Sequence, residues 1–247
     1  MSCDTKPLAL IPSATAADRI AVFTNLKNPA LEKKSGKREV SKISCGPAVF
    51  LNLLNDLTAN NNYDGIRVYF ALESDVLALV FVTTLSDPKD KEVHNDDLSN
   101  CWLLNLRSTR QIDSKEASDL IVDYEKQRLA HFEADGNEVM KPGYMETKSL
   151  WYSRDLFGRN GKDGLIDYME CLISNKLISE VAVWFGGYLK SDEAEDTNTP
   201  EYQLTLIFQL KGEASGEAVL LDDNADTGRP CPPPSTGCKG FGAQLPL

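Results

Sequence analysis

Few residues in this 247-residue chain combine the type and the setting that catalysis requires. Cys45 precedes Gly46-Pro47 at the expected start of a helix, where the helix dipole lowers a thiol pKa and prepares a nucleophile. A Cys-His or Ser-His mechanism also needs a base within hydrogen-bond reach. The chain offers only His94 and His131, each in a polar stretch, so a histidine triad or a His-rich metal site is not expected and Cys45 reads as structural. The segment Gly158-Arg159-Asn160-Gly161-Lys162-Asp163-Gly164 precedes a helix and has the composition of a phosphate loop. It lacks the Walker spacing and the following Ser or Thr. Asp222, Asn224 and Asp226 alternate as calcium ligands do. The glycine comes one place late, however, and Pro233 stands where a bidentate Glu is needed. Cys231 and Cys238 are seven apart, suited to a small bridged loop if oxidised but not to a zinc knuckle. No catalytic or metal-ligating residue and no cofactor is assigned.

The elements that position these residues are written twice. Ile11, Ser13, Ala16, Asp18, Ile20 and Phe23 recur as Ile112, Ser114, Ala117, Asp119, Ile121 and Tyr124 at one fixed offset. The match continues with Phe50 over Phe157, then Val68 and Phe70 over Val183 and Phe185, then Leu77, Leu79 and Phe81 over Leu204, Leu206 and Phe208. An internal repeat separates what the fold needs from what one copy alone carries. Each copy predicts a helix capped by Ser13 or Ser114 and a short extended segment (Glu39 to Ser44; Thr147 to Tyr152). A second helix follows, through Phe50–Leu57 or Leu165–Leu172, and then a strand centred on Ile66–Phe70 or Val181–Phe185. Two more extended segments complete the copy, Leu77–Thr83 and Cys101–Leu104, or Leu204–Leu210 and Ala218–Leu221. The expected fold is α+β: a tandem duplication of an α-β-α-β-β-β module, helices on one face of mainly antiparallel sheets, the copies related by a pseudo-twofold axis. The expected organisation is residues 1–107 as first repeat, 108–223 as second, and 224–247 as a Pro- and Cys-containing tail.

Single-copy features are where localised function is expected. They are the acidic hairpin extension Lys190 to Pro200, the loop Ser86 to Asp97, and Arg67 inside a strand whose alternation would place it toward solvent. The net charge is −11, and most of the acidic excess falls in the second copy. A negative surface repels phosphate backbones, and the cluster Lys33, Lys34, Lys37, Arg38 reads as a solvated loop, so nucleic acid is not an expected partner. No apolar run is long enough to span a membrane and no signal-peptide pattern opens the chain. Six scattered cysteines fit reduced thiols and a cytoplasmic setting.

The helix beginning Ile-x-x-x-x-Ala, the string Asp64-Gly65-Ile66-Arg67-Val68-Tyr69-Phe70, the run Leu79-Val80-Phe81-Val82-Thr83 and the terminal Cys231-Pro-Pro-Pro resemble a family of uncharacterised bacterial proteins that end in a Cys-Pro-Pro segment. The resemblance implies a bacterial cytosolic origin and carries no activity or site with it. Duplication without a complete catalytic constellation leads to the expectation of a non-catalytic protein-binding or self-assembling module, using sheet edges and tail. The alternative is a small-molecule binder or enzyme using the cleft between repeats, with Arg67, Arg159, Lys162 and the Asp222 loop converging there.

Overall fold

The computed structural model describes residues 13–89, 93–132, 146–157, 164–189, 202–212, 219–222 and 228–230. The chain opens with α1 (Ser13–Val22), which runs through a π-helical turn (Phe23–Lys27) into α2 (Asn28–Ser35). Gly36, at φ 72°, supplies the left-handed residue that ends this helix. Then come β1 (Lys42–Cys45), α3 (Pro47–Leu57), β2 (Tyr63–Glu73), β3 (Val76–Ser86), β4 (His94–Leu104) and β5 (Thr109–Ile112). Next are α4 (Ser114–Tyr124) and another π-helical turn (Glu125–Leu129). The chain continues through β6 (Ser149–Ser153), α5 (Arg154–Phe157), α6 (Leu165–Ser174), β7 (Glu180–Gly187), β8 (Leu204–Lys211), β9 (Val219–Asp222) and β10 (Gly228–Pro230). The fold is therefore mixed helix and antiparallel sheet.

The strands form two sheets, ordered β1-β7-β8-β9 and β10-β6-β2-β3-β4-β5. The short strand of each half joins the sheet of the other half. Ile43 of β1 faces Val183 of β7, and Leu150 of β6 faces Val68 of β2. The opening helices cross in the same sense, α1 packing on β7 and α4 on β2.

Strands β2 and β3 are buried along nearly their whole length, which requires cover on both faces. Helices on one face only, as expected from the sequence, would leave half of these side chains in water. Instead Tyr69, Ala71, Val80, Val82 and Leu103 lie under Ala117 and Ile121 of α4, and Ile207 lies against Ala16 of α1. The opposite faces of both sheets meet α3 and α6 in one large core. Phe50 of α3 touches Phe81 of one sheet and Phe208 of the other, at 6.1 and 6.0 Å between ring centroids.

Three further expectations are corrected. The cap of α4 is Asp113, whose carboxylate accepts from the backbone N–H of Glu116, and Ser114 is the first helical residue. A carboxylate there also favours the positive helix end. The expected loop Ser86 to Asp97 is strand at both ends, because β3 runs to Ser86 and β4 begins at His94 and pairs Asp96 with Thr84. Between Val82 and Thr83 the register jumps from Cys101 to Asp97, a bulge that absorbs residues 98–100 and bends the strand. Finally, β5 pairs with β4, placing Ile112 opposite Cys101, a strand that sequence pattern did not suggest.

Phe70 and Phe185 lie 6.2 Å apart where the halves meet, with Phe23 on Phe185 at 5.5 Å and Tyr124 on Phe70 at 5.7 Å. All four rings are buried. Truncating Phe185 to Ala removes the ring shared by two contacts and should destabilise the protein by about 3–5 kcal/mol in chemical denaturation. Leu at this position should cost clearly less, since it refills part of the void.

Candidate functional site

The polar residues that accompany this aromatic seam form two crossed ion pairs. Lys27 ends the first π-helical turn and Arg128 lies in the second, where the wider turn displaces side chains from their α-helical directions. Arg128 Nε donates to Glu39 Oε1 at 2.5 Å, and its Nη2 donates to Asp75 Oδ1 at 2.7 Å. The other oxygen of Glu39 accepts the backbone N–H of Leu77 at 3.2 Å. In the reciprocal arrangement Lys27 pairs with Glu146. Glu146 Oε1 accepts the backbone N–H groups of Leu204 at 2.6 Å and Thr147 at 2.8 Å. Each cation comes from one half of the chain and each carboxylate from the other. Lys27, Glu39, Arg128 and Glu146 are all buried, so each charge depends on its partner for compensation.

A second polar group occupies the outer face of the six-stranded sheet, beyond the end of α4's cover. Arg67 is 1% exposed: its guanidinium bonds Asp96 Oδ1 at 2.5 Å and the backbone carbonyl of His94 at 2.9 Å. The sequence left Arg67 toward solvent; alternation places it on the outer face, but there it is buried against Asp96 and the His94 carbonyl, with Trp151 as its partner on the neighbouring strand. Tyr69 donates to Asp96 at 2.6 Å. Burial and the neighbouring Asp96 raise the Tyr69 phenol well above its usual range. Asp64 receives Thr84 Oγ1 at 2.5 Å and Ser86 Oγ at 2.8 Å, and meets His94 Nδ1 at 2.8 Å. Burial opposes ionisation of Asp64, but the bonds from His94, Thr84 and Ser86 outweigh it and hold the carboxyl below the ordinary range. The His94 ring stacks on Trp151 at 3.8 Å, and Trp151 Nε1 donates to Thr84 at 2.9 Å. His94 is thus sheltered rather than in the polar surface setting its sequence suggests.

Gly65 is required beside this group. A Cβ there would run into the Tyr152 carbonyl and into the Trp151 indole, 2.6 Å from its Nε1.

On the other sheet the corresponding outer face carries Trp184, with the Lys42 and Lys211 ammonium groups 5.2 and 5.8 Å from its centroid. Glu180 joins both lysines and Ser44. The Ser44 hydroxyl above all, with Lys211 and Lys42, holds the Glu180 carboxyl at about 2 despite partial burial.

The other sequence candidates fall apart in space or in chemistry. Burial pushes the Cys45 thiol up to about 11, the reverse of helix-dipole activation, and Cys101 up to about 12. These are thiols, not thiolates, at neutral pH. Cys171 is disulfide-bonded, which departs from the expectation of reduced cysteines throughout. Lys33 and Lys34 are exposed on α2, and Lys37 pairs with Asp75. His131 is partly exposed beyond the second π-helical turn. Arg159, Lys162, the run 190–200, residues 223–226, Cys231 and Cys238 lie outside the described residues. No helix among the described residues is long and apolar enough to cross a membrane.

No protein-family model, curated protein or solved structure matches the chain.

Replacing Lys27 with Met removes a buried cation from Glu146 and should cost up to about 3–5 kcal/mol. Adding Glu146→Gln to that variant should recover part of the loss in a double-mutant cycle. Acid titration adds a second expectation. Because the folded Asp64 carboxyl sits below its unfolded value, its contribution to stability is complete above the unfolded pKa and fades as pH falls through the folded one. Asp64→Asn should therefore flatten the acid limb of a stability-against-pH curve while leaving its neutral-to-alkaline shape unchanged. Cys45 should react with iodoacetamide far more slowly than a free thiol at pH 8, and an accelerated rate would restore it as a nucleophile.

Proposed function

We propose that the chain is a tandem duplication of one α+β module whose copies interlock, and that it acts as a non-catalytic module that binds protein, copies of itself included. The duplication is supported by register. Leu150 and Ile43 hold matching places in the repeat, as do Val68 and Val183, and the pairs Ile43–Val183 and Leu150–Val68 face each other in their two sheets. Ring contacts match as well: Phe23 on Phe185 and Tyr124 on Phe70, with interplanar angles of 32° and 31°. Glu39 and Glu146 likewise accept from Leu77 and Leu204, which the repeat aligns.

The observation that carries the functional reading is the content of the seam between the halves. A ligand site between repeats needs a recess lined by polar groups with open valences. Here Phe23, Phe70, Tyr124 and Phe185 fill that place with packed rings, and the adjoining carboxylates are engaged by cations and strand N–H groups. Among the described residues, what is offered to a partner then lies outside: the short edge strands β1 and β5, and exposed Val49, Leu106 and Leu177. Unpaired strand edges accept another strand through backbone bonds, which favours protein over small-molecule recognition.

Light scattering across a wide protein concentration range tests the reading. It expects a mass that rises above that of one chain, and addition of salt should not abolish the rise, because backbone pairing and apolar contact are weakly screened. A mass that stays at 27.3 kDa throughout, with no partner retained from a cell extract, would contradict it.

A further inference from the structure

Resting on that self-association, we propose that residues 13–45 are an exchangeable arm, and that the face this arm occupies also accepts the arm of a second copy of the chain. The arm's anchors lie far along the sequence. Its strand β1 pairs with β7 from Lys42↔Trp184 to Cys45↔Val181. Phe23 packs on Phe185, Lys27 pairs with Glu146, and the Arg19 guanidinium stands 5.2 Å from the Tyr188 centroid. Gly187 permits this close approach, since a Cβ there would collide with Val22. Gly46 alone separates β1 from Pro47, the first residue of α3, and it is extended at φ −66° and ψ 143°.

Nothing in a backbone ladder, a buried ion pair or a ring contact records which chain supplied the arm. An arm from a second copy would re-form all of them, including Glu39 with Arg128 and Leu77, and only the Gly46 hinge would change conformation. The closed chain prevails in dilute solution because a tethered arm has an effective concentration on the order of millimolar. Exchange competes when chains fold at high concentration, or when the hinge cannot turn back. A linker of one residue between β1 and α3 leaves little chain with which to turn, and short hinges favour exchange.

Two experiments on the full chain test this. Deleting Gly46 should shift the folded protein from the mass of one chain to twice that mass, whereas inserting Gly-Gly-Ser after Gly46 should leave one-chain mass. A deletion variant that folds and stays at one-chain mass would overturn the proposal. The second measurement does not depend on that variant folding. Ser44 and Ala182 are register partners across β1 and β7, within disulfide range for paired antiparallel strands. Chains carrying Ser44→Cys and chains carrying Ala182→Cys, both with Cys45→Ser, are unfolded, mixed at high concentration and refolded. A disulfide-linked species containing one chain of each kind is expected. Its absence, while the single chain bearing both cysteines closes its own bridge, would overturn arm exchange. If wild-type mass still rises with concentration in that case, self-association stands and only its route by arm exchange is lost.

Discussion

Each half of the chain donates its short strand, β1 or β6, to the sheet built by the other half, and this crossing is the constraint on which the rest of the structure depends. A four-residue strand has too little surface to be stable alone, so β1 exists only where β7 offers it a ladder and a covered face. The same holds for β6 against β2. Because α1 lies over β7 and α4 over β2, neither sheet is complete until residues distant in sequence have come together. Folding therefore carries a high loop-closure cost, offset by one continuous core shared between both sheets.

The polar chemistry follows the same geometry. Crossing the opening helices brings a cation from each half against a carboxylate of the other, and both carboxylates also hold a strand N–H at the edge of the seam. Buried pairs of this kind contribute little net stability against an apolar substitute, but they penalise any arrangement that leaves one member unpaired. The outer faces are under less constraint, and there the halves diverge. One carries Arg67, Asp96, Asp64, His94 and Trp151; the other carries Trp184 beneath two lysines tied by Glu180.

Sequence pattern made the elements legible and their partners illegible. The β-branched and aromatic runs around Ile66–Phe70 and Val181–Phe185 announce strands because that side-chain chemistry suits a pleated, buried surface. Repetition of Phe23 as Tyr124 and Phe70 as Phe185 marked ring positions that prove to be buried at the seam. Which sheet a strand joins is a long-range choice with no local signature, so the crossing of β1 and β6 left no trace in any window. Covering both faces was nonetheless foreshadowed by the unbroken apolar run Leu77–Val82, which does not alternate. The ion pairs were legible in part: Lys27 and Arg128 stand at the same spacing as Phe23 and Tyr124, so a basic residue accompanies the ring in each half. Arg67 and Asp96 were misplaced because burial of a charge depends on a counter-charge 29 positions away, and His94 because its shelter is a ring from the other half, Trp151.

The account stands or falls on the two halves being a single cooperative unit. Native-state hydrogen exchange of the full chain, followed at increasing denaturant, tests this most directly at the amides of β1 and β6. The account predicts that both strands exchange with the free energy and denaturant dependence of global unfolding, as a shared core requires. Exchange of β1 through a smaller opening, with β6 and the six-stranded sheet still protected, would contradict it.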